Sequence, residues 1–180
     1  MDKIGGNSFI DELIPESMIN KAKEPRFEGT FFWRAIESTV ENRDIQKLEN
    51  YYGHKLPDSY RSFLQHRHFI ELQLGGYSIG FFKNVPSRLV QDTKQEIENY
   101  YENLIERNYL PFATLSDYGV LCFDANRVDN NQDYPVVSFD HEDGYEAPEH
   151  YSENFNSMFQ EFEANLDNWI KNKREKNNAT

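Results

Sequence analysis

The sequence predicts an α+β fold, in which a small and largely antiparallel sheet is packed by helices within a single domain. Apolar residues recur at helical spacing in several segments, and shorter segments between them alternate as strands do. Aromatic residues make up 15% of the 180 residues, with 14 Phe and 11 Tyr. A chain of this length can bury one hydrophobic core, and aromatic side chains supply much of its area.

Residues 1–39 are the least regular segment, because they contain paired glycines and two prolines before an aromatic triplet. We interpret residues 1–30 as an N-terminal arm that precedes a body at residues 31–170. The aromatic triplet at residues 31–33 is expected to dock on that body. The alternative is that Trp33 is exposed beside an acidic face and acts as a binding hot spot. Residues 171–180 are predicted to form a basic, flexible tail.

Two helices are expected to open the body. Helical spacing over residues 44–52 predicts the first, and Gly53 suits its C-terminal end. Pro57 suits the start of the second, since a proline at the first helical position loses no intrahelical hydrogen bond. Their apolar positions are Ile45, Leu48 and Tyr52, then Tyr60, Phe63 and Leu64.

A sheet with one inserted helix comes next, and a last helix closes the fold. Residues 69–82 predict a strand, a turn and a strand, and Pro86 begins a helix that runs to about Arg107. Ser152 is the expected N-cap of the closing helix. The remaining predicted strands are 110–114, 120–123 and 134–139, and the apolar stripe of the last helix is Phe155, Phe159, Phe162, Leu166, Trp169 and Ile170.

The net charge of −12 is concentrated in one block. Residues 1–110 carry 17 acidic and 14 basic residues, residues 111–170 carry 13 and one, and residues 171–180 carry one and four. The middle block alone thus carries −12. Such a field repels nucleic acid and anionic membranes and attracts basic proteins. Solubility alone is the alternative interpretation.

The sequence predicts a cytoplasmic protein without a membrane-spanning segment. No run approaches the roughly 20 apolar residues that cross a bilayer, and residues 1–10 lack the pattern of a secretion signal. Cys122 is the only cysteine. It stands between two apolar residues of a predicted strand, within the acidic block, so we expect a buried structural thiol rather than a nucleophile.

Acidic clusters raise the question of a metal site, and we expect none. Residues 140–143 (Asp-His-Glu-Asp), with His150 beyond them, offer ligand atoms, but neighbouring strand residues point in opposite directions. A set resembling a calcium loop lacks the order of an EF-hand. That set is Asp124, Asn126, Asp129 and Asp133.

No cofactor or enzyme activity is predicted either. Phosphate-binding glycine loops and the nucleophile elbow are missing from the sequence. A carboxylate pair assembled in space remains an open alternative, and so does a weaker hydrolase hypothesis based on residues 140–143.

Three blocks of the sequence follow one another along the chain. The first is DIQKLENYYGHKLPDSYRSFL (residues 44–64) followed by HFIEL (residues 68–72), the second is YLPFATLSDYGVLCFDAN (residues 109–126), and the third is YPVVSFDHE (residues 134–142). Together they resemble the SUKH superfamily. Residues 44–64 are similar to its opening, HFIEL is similar to a variant common among its bacterial members, and the second and third blocks are similar to its later strands. The arm has no counterpart in the family, and Tyr118 stands where relatives often have Trp.

The resemblance implies an α+β fold and a protein-binding role. Many bacterial members are immunity proteins that neutralise toxins, often nucleases, whereas fungal relatives are interaction hubs in cell-wall assembly. Nuclease toxins need basic surfaces, which an acidic face can occupy. We therefore expect a basic protein toxin as partner, and no nucleic acid or membrane. The expected contact residues are Asp117, Tyr118, Asp124, Asp129, Asp140, Glu142, Asp143, Tyr145 and Glu146.

Overall fold

The computed structural model describes residues 7–9, 14–24, 28, 30–70, 72–74, 79–116, 119–127 and 133–164. Within them the helices are α1 (Asn42–Tyr52), α2 (Asp58–His66), α3 (Leu89–Tyr100), α4 (Glu102–Glu106) and α5 (described over residues 155–164). The strands are β1 (Asn7–Phe9), β2 (Thr30–Phe32), β3 (Ile36–Glu37), β4 (Arg67–His68), β5 (Gln73–Leu74), β6 (Ile79–Phe81), β7 (Tyr109–Leu115), β8 (Gly119–Asp124), β9 (Val136–Asp140) and β10 (Glu149–Ser152). These elements confirm the predicted α+β class.

The main sheet has six strands in the order β10-β9-β8-β7-β6-β5, and every neighbouring pair is antiparallel. Two further pairs, β1 with β2 and β3 with β4, are also antiparallel. Neighbours in the main sheet are neighbours in the sequence, so the sheet is a meander interrupted by α3 and α4 between β6 and β7. The strand β10 lies at one edge.

Helices cover both faces of the sheet. On one face, the ring of Phe155 in α5 packs 5.9 Å from Phe123, and that of Tyr60 in α2 packs 5.2 Å from it. Side chains alternate along a strand, so Cys122 points to the other face. There the Tyr101 ring, between α3 and α4, stacks on Phe82 at 6.1 Å. The strand β8 is therefore buried on both sides.

The segment that precedes β2 packs against the body. Ile14 and Met18 belong to the core cluster, and Met18 is fully buried. The Arg34 N–H donates to the Met18 carbonyl at 2.9 Å, and Ile19 bridges to Trp33. Trp33 is only 2% exposed, so it is a core residue and not an exposed hot spot. The domain boundary at residue 31 stays a prediction.

The two opening helices lie close to where periodicity predicts them. Gly53 adopts the left-handed conformation at the end of α1, with φ of 73°, which glycine tolerates without strain. Pro57 is the N-cap of α2 and not its first residue. Phe63 is partly buried and stacks on the core rings.

The predicted single helix from Pro86 to about Arg107 is wrong, because the structure has two helices here and the first begins at Leu89. Tyr101 separates α3 from α4 with φ of −134° and ψ of 14°, which lie outside the helical region. Its ring is buried against Phe82, whereas the neighbouring Tyr100 is 61% exposed. The break lets Tyr101 and Leu104 both reach the core.

The C-terminal region differs from the prediction in its start. Ser152 is not the N-cap of α5, since it ends β10, a strand that the sequence analysis missed. The Asn154 side chain caps the helix instead, because its Oδ1 accepts a hydrogen bond from the Ser157 N–H at 2.8 Å. Leu166, Trp169, Ile170 and the basic tail lie outside the described residues.

Candidate functional site

An exposed acidic face lies at the β10 edge of the sheet. We use the term acidic turn for residues 140–146, and acidic face for this turn together with Glu149 and Glu153. Residues 133–164 contain nine acidic residues and no Lys or Arg. The basic side chains of this segment are His141 and His150, which lie 3.5 Å from Asp140 and from Glu153, respectively. The exposed carboxylates of the face are Asp140, Glu142, Asp143, Glu146, Glu149 and Glu153.

The backbone of the acidic turn is fixed by its own hydrogen bonds. The Glu142 N–H donates to Asp140 Oδ1 at 2.8 Å, and the Tyr145 N–H donates to the Asp140 carbonyl at 3.1 Å. The Gly144 N–H donates to the His141 carbonyl at 2.9 Å. Gly144 has φ of 63° and Tyr145 has φ of 60°. The turn is thus an ordered element, and its carboxylates project from a defined frame.

Arg107 holds this turn from the body side. Its guanidinium nitrogens donate to the carbonyls of Tyr145 at 2.6 Å and Glu146 at 2.7 Å. The same guanidinium lies 5.4 Å from the ring centroids of Tyr109 and Phe139, within the range of a cation–π contact. Both donors of one planar group are therefore aimed at consecutive carbonyls, which fixes the turn relative to β7 and β9.

A shallow cleft of about 170 Å³ separates the acidic turn from the ends of the strands. Asp140, Asp143 and Glu149 lie along it. Gly119 forms its floor, where a Cβ would lie 2.9 Å from the Phe139 carbonyl oxygen. Only glycine allows β8 to approach β9 this closely. Three carboxylates therefore line this cleft.

The predicted contact residues fall into three groups. Asp140, Glu142, Asp143 and Glu146 are exposed and share the acidic turn. Asp117, Tyr118 and Asp129 lie outside the described residues. Asp124 is buried and Tyr145 is half-buried, so neither side chain projects fully from the surface.

The Asp124 side chain is only 3% exposed, and the sequence analysis expected it to project. Its Oδ1 accepts hydrogen bonds from the backbone N–H and the side chain of Asn126, both at 3.1 Å. Its Oδ2 lies 3.5 Å from Arg127 Nε. This buried carboxylate therefore stabilises the turn after β8 through hydrogen bonds and an ion pair.

Tyr145 is half-buried, so it is not a fully projecting aromatic anchor. Its ring packs edge-on against Tyr101 at 5.7 Å. Burial, followed by the nearby Asp140 carboxylate and Cys122, raises the pKa of its phenol. A partner can reach only part of this ring, and the rest supports the acidic turn.

Cys122 is fully buried, as the sequence predicts. Burial raises the pKa of its thiol well above the usual value, although Arg107 acts in the opposite direction. The thiol is therefore protonated at neutral pH and is a poor nucleophile. In the described ranges, no three His, Cys, Asp or Glu side chains are grouped to hold a metal ion, and no helix is long and apolar enough to cross a membrane.

Comparison with protein families gives one match, which covers most of the structure just described. The family is described as the SMI1 / KNR4 family (SUKH-1), and its model matches residues 39–161. The chain belongs to this family. The SUKH-1 match spans α1 to α5 and includes the whole acidic face. A comparison with curated proteins found no match.

The roles of Arg107 and of the edge strand β10 are not apparent in the sequence. The partners of Arg107 are backbone carbonyls 38 and 39 residues away, so no sequence spacing reveals them. The β10 residues Glu-His-Tyr-Ser lack alternation of apolar and polar side chains. The only local signal was Pro148, since a proline commonly precedes an edge strand.

Proposed function

We propose that this SUKH-1 protein is a non-catalytic immunity protein that binds and neutralises a basic, nuclease-type protein toxin through its acidic face. The observation that carries the proposal is the acidic turn, whose exposed carboxylates stand on a backbone that Arg107 fixes at 2.6 and 2.7 Å. The family match supports a binding role, because the family implies immunity proteins or regulators.

Charge and preorganisation both favour such a complex. A nuclease holds phosphates with Lys and Arg side chains, and a surface of the opposite sign competes for them. A flexible acidic loop would lose conformational entropy on binding, whereas an ordered turn loses little. The ion pairs at the rim mainly raise the association rate, and the partly buried Tyr145 prolongs the complex. The expected compartment is the cytoplasm, where the nucleic-acid substrates lie.

The proposal predicts that a toxin gene lies beside the gene of this chain, and the test uses that toxin. We expect the chain to protect bacteria that express this toxin, and to form a one-to-one complex with the toxin domain. The double substitution Glu142→Lys and Asp143→Lys reverses two exposed charges of the acidic turn. It leaves Asp140 in place, whose carboxylate accepts the Glu142 N–H. Association should slow about tenfold at low ionic strength, and the difference should shrink as salt rises.

The matched control is Glu161→Lys with Glu163→Lys, which changes the net charge equally on exposed positions of α5. It should retain the association rate within about twofold. Equal slowing in both double variants would show that net charge alone acts and that the acidic face is not the site. A chain that neither binds the toxin nor protects cells would contradict the immunity role.

The second candidate is a protein-interaction scaffold in cell-wall assembly or signalling, which the same family match favours. This role predicts that deleting the gene alters sensitivity to cell-wall antibiotics in the absence of any competitor. The immunity role predicts loss of survival only when the toxin is present. The two deletion phenotypes therefore separate the candidates.

A further inference from the structure

The outer edge of β10 is a second recognition feature beside the acidic turn. The inner edge of β10 pairs with β9, where Glu149 lies opposite Ser138 and His150 opposite Val137. Across the part of the chain that the structure describes, no strand pairs with the outer edge. About half of the backbone N–H and C=O groups of an edge strand point away from its sheet, and an added strand can pair with them.

The charged side chains at this edge discriminate between basic and acidic strands. Edge strands are commonly blunted by a lysine, a proline or a bulge. Here Pro148 precedes the strand and its register shifts between His150 and Ser152, but the strand carries no lysine. The exposed carboxylates at the edge are Glu149 and Glu153, and the His150 imidazole lies 3.5 Å from Glu153. These carboxylates repel an acidic strand and attract a basic one.

Charge also decides between a second copy of this chain and another protein. Antiparallel pairing of two β10 strands would bring Glu149 and Glu153 of one copy near those of the other. Like charges that face each other across strands are destabilising. An extended segment with Lys or Arg side chains would instead place cations beside these carboxylates. The edge therefore fits a basic segment of another protein.

We propose that the outer edge of β10 accepts an extended, Lys- or Arg-bearing segment of the toxin as a seventh strand of the main sheet. The toxin as its source rests on the proposed function. Glu149 lines the cleft together with Asp140 and Asp143, so a basic side chain of the added strand beside Glu149 can enter that cleft. Backbone pairing then supplies affinity, and the cleft supplies preference for a cation at one position.

The test uses the full chain and two synthetic octapeptides, one of alternating lysine and valine and one of alternating lysine and proline. The two peptides carry the same charge, but proline has no N–H to donate to a strand ladder. We expect the lysine–valine peptide to bind at least tenfold more tightly. Amide hydrogen exchange in β10 should slow on binding, and NMR should show cross-strand contacts to Glu149 or His150.

Two double variants complete the design. Glu149→Lys with Glu153→Lys should reduce binding of the lysine–valine peptide at least tenfold, whereas Glu161→Lys with Glu163→Lys should retain it. Equal binding of both peptides, or binding of neither, would overturn strand addition. Protection of β10 amides by self-association of the free chain would also overturn it, because a second copy would then occupy the edge.

Failure of this inference is distinguishable from failure of the proposed function. Equal binding of the two peptides leaves protection against the toxin untouched, since that is measured by survival and complex formation. Conversely, strand addition of the lysine–valine peptide without protection against the toxin supports the basic-strand edge and rejects the immunity role.

Discussion

At the scale of single residues, Arg107 connects the core to the acidic face. Its guanidinium contacts two aromatic rings and two carbonyls at once. We predict that Arg107→Met lowers the free energy of unfolding by about 2–3 kcal/mol, because hydrogen bonds from a charged donor are lost at a half-buried site. Urea denaturation measures this. Amide exchange at residues 144–146 should become faster than in the wild type.

The matched control for Arg107 is Arg43→Met, which removes the same group from an exposed position of α1. Its cost should stay within about 0.5 kcal/mol. Unchanged exchange in the acidic turn of Arg107→Met would show that the turn's own hydrogen bonds suffice to order it.

His68 is a second residue whose environment sets its chemistry. It is fully buried, and its Nε2 accepts a hydrogen bond from the Thr39 N–H at 2.9 Å. Nδ1 therefore carries the proton and faces the Asn84 carbonyl at 3.1 Å. Desolvation by burial lowers the pKa of His68 from 6.5, although the contacts with Asn84 act in the opposite direction.

This lowered pKa predicts a pH dependence of folding stability. The unfolded chain binds a proton at His68 near pH 6.5, whereas the folded chain binds it only at lower pH. Stability is therefore present above about pH 6.5 and is lost as the pH falls through the folded pKa. Urea unfolding of the wild type and His68→Gln between pH 7.5 and 5.5 should show a stability difference that shrinks as the pH falls.

The exposed Ser17→Ala, which removes no titratable group, serves as the control, and its pH dependence should match the wild type. A constant stability difference between wild type and His68→Gln across this pH range would refute the linkage.

Residues also show where inference from sequence ends. The exposed carboxylates of residues 140–146 could be predicted, because a charged run that follows a strand is usually exposed. The burial of Asp124 could not be predicted, because Asn126 and Arg127 reach its carboxylate only in a particular turn geometry. Hydrogen bonds to backbone carbonyls, such as those of Arg107, cannot be predicted from the pattern of side chains in the sequence, because every residue has a carbonyl.

At the scale of elements, α5 depends on a cap that the sequence analysis placed two residues too early. Asn154→Ala should lower the free energy of unfolding by about 1 kcal/mol, because the Ser157 N–H loses its acceptor. Asn156→Ala changes the same side chain at an exposed position inside the helix and should cost less than about 0.5 kcal/mol. Thermal unfolding of both variants measures the difference, and equal costs would contradict the assignment of Asn154 as the cap.

Elements with a strong apolar period were the most predictable. The helices α1 and α2 and the strands β7 to β9 have apolar residues at regular spacing, and they lie within a few residues of their predicted ranges. The break at Tyr101 could not be predicted, because it depends on the fit of one ring against Phe82 and Tyr145. The strand β10 was missed since pairing with β9, and not its own composition, makes it a strand.

At the scale of the whole molecule, the segment around Met18 belongs to the packed body. We predict that Met18→Ala lowers the free energy of unfolding by about 3 kcal/mol, as expected for truncating a fully buried methionine. The exposed Ser17→Ala should cost less than about 0.5 kcal/mol. Both variants should unfold in a single transition in urea. If Met18→Ala left the stability unchanged, the body would begin at about residue 31, as the sequence analysis proposed.

The hydrogen bonds from Arg107 to main-chain carbonyls affect how the side chains of the acidic turn can vary. Arg107 donates only to main-chain carbonyls, so its hydrogen bonds do not depend on which side chains the turn carries. The backbone of the turn also requires Gly144 and the carboxylate of Asp140. Positions 142, 143 and 146 can therefore exchange their side chains without altering the loop's shape. A change of partner therefore requires substitutions at these exposed positions only, on an unchanged scaffold, much as an antibody framework supports different loops.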